Sequence, residues 1–373
     1  MNATDTALGC MDLLWAAVRA GDEHTAIDVV LDAYARGLDA ESLLLDVIAA
    51  VQRRVGVEWA ANQLTVAEEH AATAINERAI AALTRTLPRR EPHRGRITVA
   101  CVDGEWHALP ARLLAEVFRL RGFRVDYLGA QVPTPHLITH LHRTGPDAAA
   151  LSGSIATRLP VAHATVTACQ AAGVPVLVGG SAFGPDGRYA RLLGADLWAP
   201  DARTAADLLA ARPLPRPRDG HQPIDDLPHL GDQEYTMVSR TAKLLVKAVY
   251  TGLEELLPVM RDYTEAQRRH TAEDLAHIVD FLATALYTDD RDMFTGFTSW
   301  TAGVLWARGV PAGFLVPALD LLTAELRDFP RATGLLAAAR AELLRVPDSR
   351  SPDSPTPDSR TPRRRPHDPG TTT

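Results

Sequence analysis

Two short stretches carry the side chains best suited to chemistry. The first is Cys101-Val102-Asp103-Gly104-Glu105-Trp106-His107-Ala108-Leu109-Pro110. A neutral imidazole offers one lone pair to a metal, and a carboxylate commonly orients its other nitrogen. Glu105 and His107, two residues apart in a turn, suit those roles, so His107 is a candidate metal ligand and Glu105 its orienting partner. The second stretch pairs Trp59 with Glu69-His70, nine residues further on. Each pattern is weak alone. A Glu-x-His in a loop is commonly incidental, and a tryptophan before a Glu-His pair commonly ends a core helix, with the pair solvated.

The elements around them give the first stretch its place. The apolar run from Ile97 to Val102 reads as a buried strand. Leu113, Leu114, Val117, Phe118 and Leu120 recur at helical spacing, which predicts a helix over 111–121. A turn between strand and helix lies where open α/β sheets bind ligands, at the carboxyl ends of the strands. Further strands are predicted at 124–128, 147–152, 174–178 and 195–198, with helices at 135–143, 160–172, 187–193 and 203–211 between and after them. That alternation over residues 96–211 implies a doubly wound, flavodoxin-like sheet of five parallel strands.

Residues 1–90 read as a four-helix bundle with short connections, the third helix striped by Leu43, Leu44, Val47, Ile48, Val51 and Val55. Residues 88–95 are polar and carry two prolines, as a linker would, and 212–232 form a second Pro-rich linker. Residues 233–346 are expected to be an all-helical output or dimerisation domain. Thr271 with Asp274 resembles a capping pair there, ahead of Leu275, Ile278, Val279, Leu282 and Leu286. His270 and His277 share a helix face, which admits a haem reading, although surface histidines are the plainer one. Phe297, Trp300 and Trp306 read as core. Residues 347–373 repeat Pro, Asp, Ser and Arg and are expected to be a disordered tail.

Composition removes several classes of function. The net charge of −7 leaves no basic footprint for nucleic acid. Cys10, Cys101 and Cys169 are too far apart for a metal knuckle or a disulfide framework. No stretch approaches a membrane span, and the N-terminus lacks a signal-peptide pattern, so a cytoplasmic location is expected. Neither a phosphate loop, a catalytic triad nor an HExxH motif is present, and no enzymatic role is expected.

The spacing after the turn ties the pattern to a family. After Pro110 come 41 residues and then Ser152-Gly153-Ser154; after Ser154 come 24 and then Gly179-Gly180. This succession resembles the cobalamin-binding fold of methionine synthase and its relatives, with Asp-x-His-x-x-Gly, then Ser-x-Leu, then Gly-Gly. The resemblance implies that His107 is the lower axial ligand of cobalt. It further implies that Ser152, Ser154, Gly179 and Gly180 line a slot for the displaced nucleotide tail. Three positions depart from the pattern: Glu105 stands for Asp, Pro110 for the last Gly of the first motif, and Ser154 for Leu.

Trp-x9-Glu-His is similar to the cap motif of light-sensing cobalamin regulators of the CarH and LitR type. There the Trp packs over the upper face of adenosylcobalamin, which implies the same for Trp59, with Glu69 and His70 lining that cavity. Such regulators carry a DNA-binding module ahead of the bundle, whereas none is expected here because the bundle opens the chain. The best-known light sensors also have a His directly after the Trp, where this chain has Ala60. The resemblance implies a corrinoid sensor that favours adenosylcobalamin, with light as a candidate signal and a protein partner reached through the C-terminal domain. Nothing in it speaks against a homo-oligomer. The alternative is a corrinoid carrier presenting methylcobalamin to methyltransferase partners, and a fold that binds no cofactor is a third reading.

Overall fold

The computed structural model describes residues 3–88, 91–211, 214–217 and 223–345; the expected tail at 347–373 lies outside them. The first helices are α1 (Ala3–Arg19) and α2 (Glu23–Ala35). The predicted third helix is continuous but not uniform: α3 (Ala40–Ser42), a π-helical turn (Leu43–Ile48) and α4 (Ala49–Ala60). Leu43, Leu44, Val47 and Ile48 are all completely buried along that turn. These positions share one face at helical spacing, and the π-helical turn keeps them on it. Helix α5 (Val66–Thr86) closes the bundle and starts with a Thr65–Glu68 capping box.

The α/β layer follows as β1 (Arg96–Cys101), α6 (Ala108–Leu120), β2 (Arg124–Gly129), α7 (Thr134–Thr144), β3 (Ala148–Ser152), α8 (Leu159–Ala171), β4 (Val176–Gly179), α9 (Arg188–Leu192), β5 (Leu197–Ala199) and α10 (Ala202–Ala210). The strands are parallel and ordered β2-β1-β3-β4-β5, the flavodoxin-like arrangement. Cys101, Ser152, Gly179 and Ala199 pair in one row across four strands. That row is the carboxyl edge, so the turn after β1, the loop after β3 and the glycines ending β4 emerge side by side.

Helix α6 starts at Ala108, three residues before the predicted 111. Pro110 lies in its first turn, where a proline forfeits no hydrogen bond because those N–H groups have no intrahelical acceptor.

The C-terminal domain is built from α12 (Glu234–Leu256), α13 (Glu265–Thr288), α14 (Arg291–Ala307), α15 (Leu315–Glu325) and α16 (Pro330–Arg345). Two expectations are corrected here. Thr271 and Asp274 lie inside α13, whose capping box is Thr264 with Gln267. The first two turns of α13 are polar and exposed, so the apolar stripe starts well after the helix does. The expected linker at 212–232 also ends in structure, with α11 (Pro223–Asp226) and a 3-10 turn at Pro228–Asp232. Leu227 and Leu230 are buried there, which ties this strap to the α/β layer.

The sheet separates two cores. Ile97, Val99 and Cys101 face a core shared with the N-terminal bundle. Ala100, Val102, Leu151 and Val178 face a second core that takes in Leu227, Leu230, Tyr287 and Met293 of the strap and the C-terminal domain. Buried His163 of α8 bridges Tyr287 Oη at 2.9 Å and Asp226 at 3.0 Å on that side. On the other side Glu41 accepts from Arg121 at 2.6 Å and from Arg203 at 3.2 Å.

Candidate functional site

The turn after β1 is organised by a buried carboxylate. Glu105 is 1% exposed. Its Oε1 accepts from Trp106 N at 2.9 Å, His107 N at 3.0 Å and the His107 ring Nδ1 at 2.5 Å. Its Oε2 accepts from Ser154 N at 2.8 Å and Ile155 N at 3.1 Å, in the loop after β3. Burial alone would raise its pKa, but the hydrogen bonds from the His107 ring, the His107 backbone and Ser154 outweigh this and hold it at about 2. The carboxylate is thus charged, fully satisfied, and fixes two strand ends together.

His107 is the N-cap residue of α6, and its side chain is 35% exposed. With Nδ1 taken by Glu105, the tautomer is set and Nε2 is the nitrogen left for a ligand. The indole of Trp106 stacks on the imidazole at 3.9 Å between centroids, with an interplanar angle of 28°. Stacking covers the ring face and leaves the in-plane lone pair of Nε2 uncovered. Cys101 donates its thiol to His107 O at 3.6 Å. Burial, then the Glu105 charge, push that thiol up to about 12, so it stays protonated and is no rival ligand.

The residues predicted for the tail slot fall at the same edge, in different environments. Ser152 is buried and pairs in the strand row, while Ser154 meets Glu105 through its backbone N–H and accepts from Ser181 Oγ at 2.8 Å. What comes close to the glycines is the chain itself. A Cβ on Gly180, at φ +98°, would stand 2.3 Å from Gly153 O, and one on Gly179 would be 3.0 Å from Ala199 O. Gly153 lies against Ala182 and buried Phe183.

The cap residues divide between two neighbours. Glu69 accepts from Thr73 Oγ1 at 3.0 Å and pairs with His70 Nδ1 at 2.8 Å. The exposed His70 ring stacks with Trp106 at 6.3 Å, so cap and turn meet through that indole. Trp59 faces the C-terminal domain instead, with Trp300 at 6.4 Å and the Arg308 guanidinium 5.2 Å above its ring. An aromatic face and a cation are what a half-buried indole packs best against.

Two residues, Trp106 and Arg158, had no role in the sequence reading, and two others were placed wrongly. Trp106 was passed over as the variable position of a motif, and its exposure of 49% beside two histidines is the sign of its importance. Arg158 packs its guanidinium over Gly104, 3.1 Å from where a Cβ would stand, with Nε buried and lacking an acceptor among the described residues. Trp300 and Trp306, expected in the core, are 51% and 36% exposed, whereas Phe294 is buried and Phe297 stacks on Phe281 at 3.7 Å. His270 and His277 are exposed on α13, with His270 beside Glu273 at 3.1 Å. Among the described residues, no group of three or more His, Cys, Asp or Glu could hold a bare metal ion. The donor set at the turn is one oriented imidazole, which fits a metal carried in by a larger cofactor.

Comparison with known proteins places these features. Residues 95–209 match the profile of the B12 binding domain, and residues 11–84 match a second B12 binding domain profile. The trimethylamine corrinoid protein of Methanosarcina barkeri is 24% identical over 191 residues, 49% of this chain and 87% of that protein. The HTH-type transcriptional repressor CarH of Myxococcus xanthus is 31% identical over 172 residues, 45% of this chain and 56% of the repressor. This chain therefore spans little more than half the repressor's length. The solved monomethylamine corrinoid protein of Methanosarcina barkeri aligns with 54% of this chain and 98% of its own, at 18% identity and a TM-score of 0.48. Among the described residues, no helix is long and apolar enough to cross a membrane.

Proposed function

With residues 11–84 and 95–209 belonging to the B12-binding domain families, we propose that this cobalamin-binding protein is a sensor that favours adenosylcobalamin, with light as its candidate signal. One observation carries the reading: Glu105 fixes His107 Nδ1 and so presents Nε2 at the carboxyl edge of the sheet. Cobalamin, when bound, supplies a cobalt with a labile upper ligand. His107 would hold it from below, kept in one tautomer by a carboxylate that is itself clamped to the loop after β3. Ser152, Ser154, Gly179 and Gly180 would receive the nucleotide tail, and the Gly180–Gly153 contact would have to part for it. Trp59, Glu69 and His70 would close the upper face.

The signalling part rests on where the cap residues point. His70 reaches the sheet through Trp106, and Trp59 reaches the C-terminal domain through Trp300. A ligand inserted at this edge would break or remake those contacts and bias a two-state arrangement of cap and sheet. The protein would act as a binding switch, not a catalyst, working in the cytoplasm on a protein partner through its C-terminal domain, with no direct contact to nucleic acid. Ala60 in place of a second histidine excludes capture of cobalt from that position.

A carrier of methylcobalamin for methyltransferase partners is the second reading. It is favoured by the match to most of the length of the trimethylamine corrinoid protein.

The test is reconstitution of the full chain in the dark with adenosyl-, methyl- and hydroxocobalamin, with visible spectra before and after green light. Retention of adenosylcobalamin and a light-driven change in spectrum and size are expected. Failure to retain any form would overturn cobalamin binding. Retention without a light-driven change would overturn the light sensor and leave the carrier. His107→Ala should move the bound spectrum to the His-off form; an unchanged spectrum would remove His107 as the ligand.

A further inference from the structure

The C-terminal domain meets the cap and the sheet at the edge where His107 lies, and the contacts close on themselves. From Trp59 of the cap they pass to Trp300 at 6.4 Å, to Phe297 at 6.4 Å and to Phe281 of α13 at 3.7 Å. Beside Phe281, Asp280 feels the charge of Arg158, and α13 packs against the Ala156–Arg158 turn. Arg158 lies over Gly104 in the β1 turn, whose Trp106 stacks with His70 and so returns to the cap. Three domains thus meet in one circuit of contacts around the turn that carries the candidate ligand.

The side chains within that ring are unlike an ordinary surface. Trp106 and Trp300 each leave about half their area open, 49% and 51%, whereas Trp59, Phe281 and Phe297 are half-buried. Half-open indoles on two neighbouring domains are side chains from which a binding surface is built. Asp274 and Asp280, one turn either side of His277 on α13, are also open to solvent. Surrounding protein nonetheless raises both carboxyls above their ordinary range, against the opposing charges of His277 and Arg308 for Asp274, and of His277 and Arg158 for Asp280.

We propose that α13 and α14 of the C-terminal domain form a third wall of the upper-face cavity, and that Trp300 sets its preference for a nucleoside upper ligand. Planar bases stack on indoles whatever their identity, and Trp300 offers such a face next to Trp59. Ribose hydroxyls are donors that carboxylates accept well, and Asp280 and Asp274 present acceptors on the same wall. A methyl or hydroxyl upper ligand has neither a base to stack nor a ribose to donate. The C-terminal domain is then a direct reader of the upper ligand. This inference rests on the cobalamin reading above.

The test measures equilibrium affinities of the full chain for adenosyl- and hydroxocobalamin in the dark, by spectral titration, in the parent, Trp300→Ala and Trp300→Phe. Loss of one base-stacking contact predicts that Trp300→Ala binds adenosylcobalamin about tenfold more weakly. Its hydroxocobalamin affinity should stay within about twofold, and Trp300→Phe, which keeps a ring, should recover most of the loss. An unchanged adenosyl-to-hydroxo ratio in Trp300→Ala, or an equal loss for both forms with no recovery in Trp300→Phe, overturns the third wall and leaves cobalamin binding standing. A parent chain that binds neither form overturns the cobalamin reading itself.

Discussion

His107 Nδ1 stands 2.5 Å from Glu105 Oε1, and the same oxygen takes the His107 backbone N–H at 3.0 Å. One carboxylate oxygen therefore fixes both the position and the rotation of the imidazole. Glu105→Gln places an amide there, and its NH2 group must face N–H donors at one end of the clamp. The expected outcome is a loss of about 2–3 kcal/mol in stability and a weakening of cobalt ligation by about 10- to 100-fold. Denaturant midpoints and the His-on to His-off ratio of bound cobalamin measure the two effects.

Acid should release the clamp. Glu105 goes from an ordinary 4.5 to about 2 on folding. A lowered carboxyl pKa contributes stability in full above the unfolded value, and that contribution is lost as pH falls towards the folded one. The window is therefore about pH 4.5 down to 2, with about 3 kcal/mol at stake at ~1.4 kcal/mol per pH unit. Unfolding curves from pH 6 to pH 3 should show this fall in the parent and a shallower one in Glu105→Gln. Equal slopes would mean that another carboxylate controls the acid limb.

The glycines at the carboxyl edge are unequal. Gly180 combines φ +98° with a Cβ position 2.3 Å from Gly153 O, whereas Gly153 meets only side-chain carbons, at 3.2 Å and beyond. Gly180→Ala should cost about 3 kcal/mol or more, through left-handed strain and a backbone clash, and Gly153→Ala less. Thermal unfolding of the two variants gives the ranking, and the reverse order would show that the Gly153–Gly180 approach is not tight in solution.

A polar bridge lies under the C-terminal domain. His163 is fully buried and touches both Tyr287 Oη and Asp226. Tyr287→Phe should cost about 1 kcal/mol and His163→Ala about 3 kcal/mol, since the latter withdraws the imidazole from buried polar groups and leaves a cavity. Hydrogen exchange at Leu227–Leu230 should quicken in His163→Ala. Unaltered protection there would show that apolar packing alone holds the strap.

The central strands were legible because they are short apolar runs between turn residues, and Ile97–Val102 and Ala148–Leu151 needed no more than that. The pairing of Glu105 with His107 was equally legible, since two residues in a turn place a carboxylate within reach of Nδ1. The second half of the clamp was not. Ser154 and Ile155 reach Glu105 through backbone N–H groups, and only the Cys101–Ser152 register brings them there. Trp106 and Arg158 went unread, and Trp300 was expected in the core, for a related reason. Sequence spacing tells which side chains share a face of one helix or strand, but not what a neighbouring domain will set against an exposed indole. The start of α13 was missed because its opening turns carry charge and no apolar stripe, so Thr264 and Gln267 had no hydrophobic run to announce.

The sheet keeps the two helical domains in separate rooms. Alternate residues of each strand belong to different cores, so among the described residues the two faces of the sheet pack against different helical domains. Direct contact between the two runs over the top, where Trp59 meets Trp300 and Arg308, and Asn62 donates to Ala307 O at 3.3 Å. A doorway of a few side chains is easily blocked or propped open by a guest on the sill. Its threshold is the Glu105-Trp106-His107 turn.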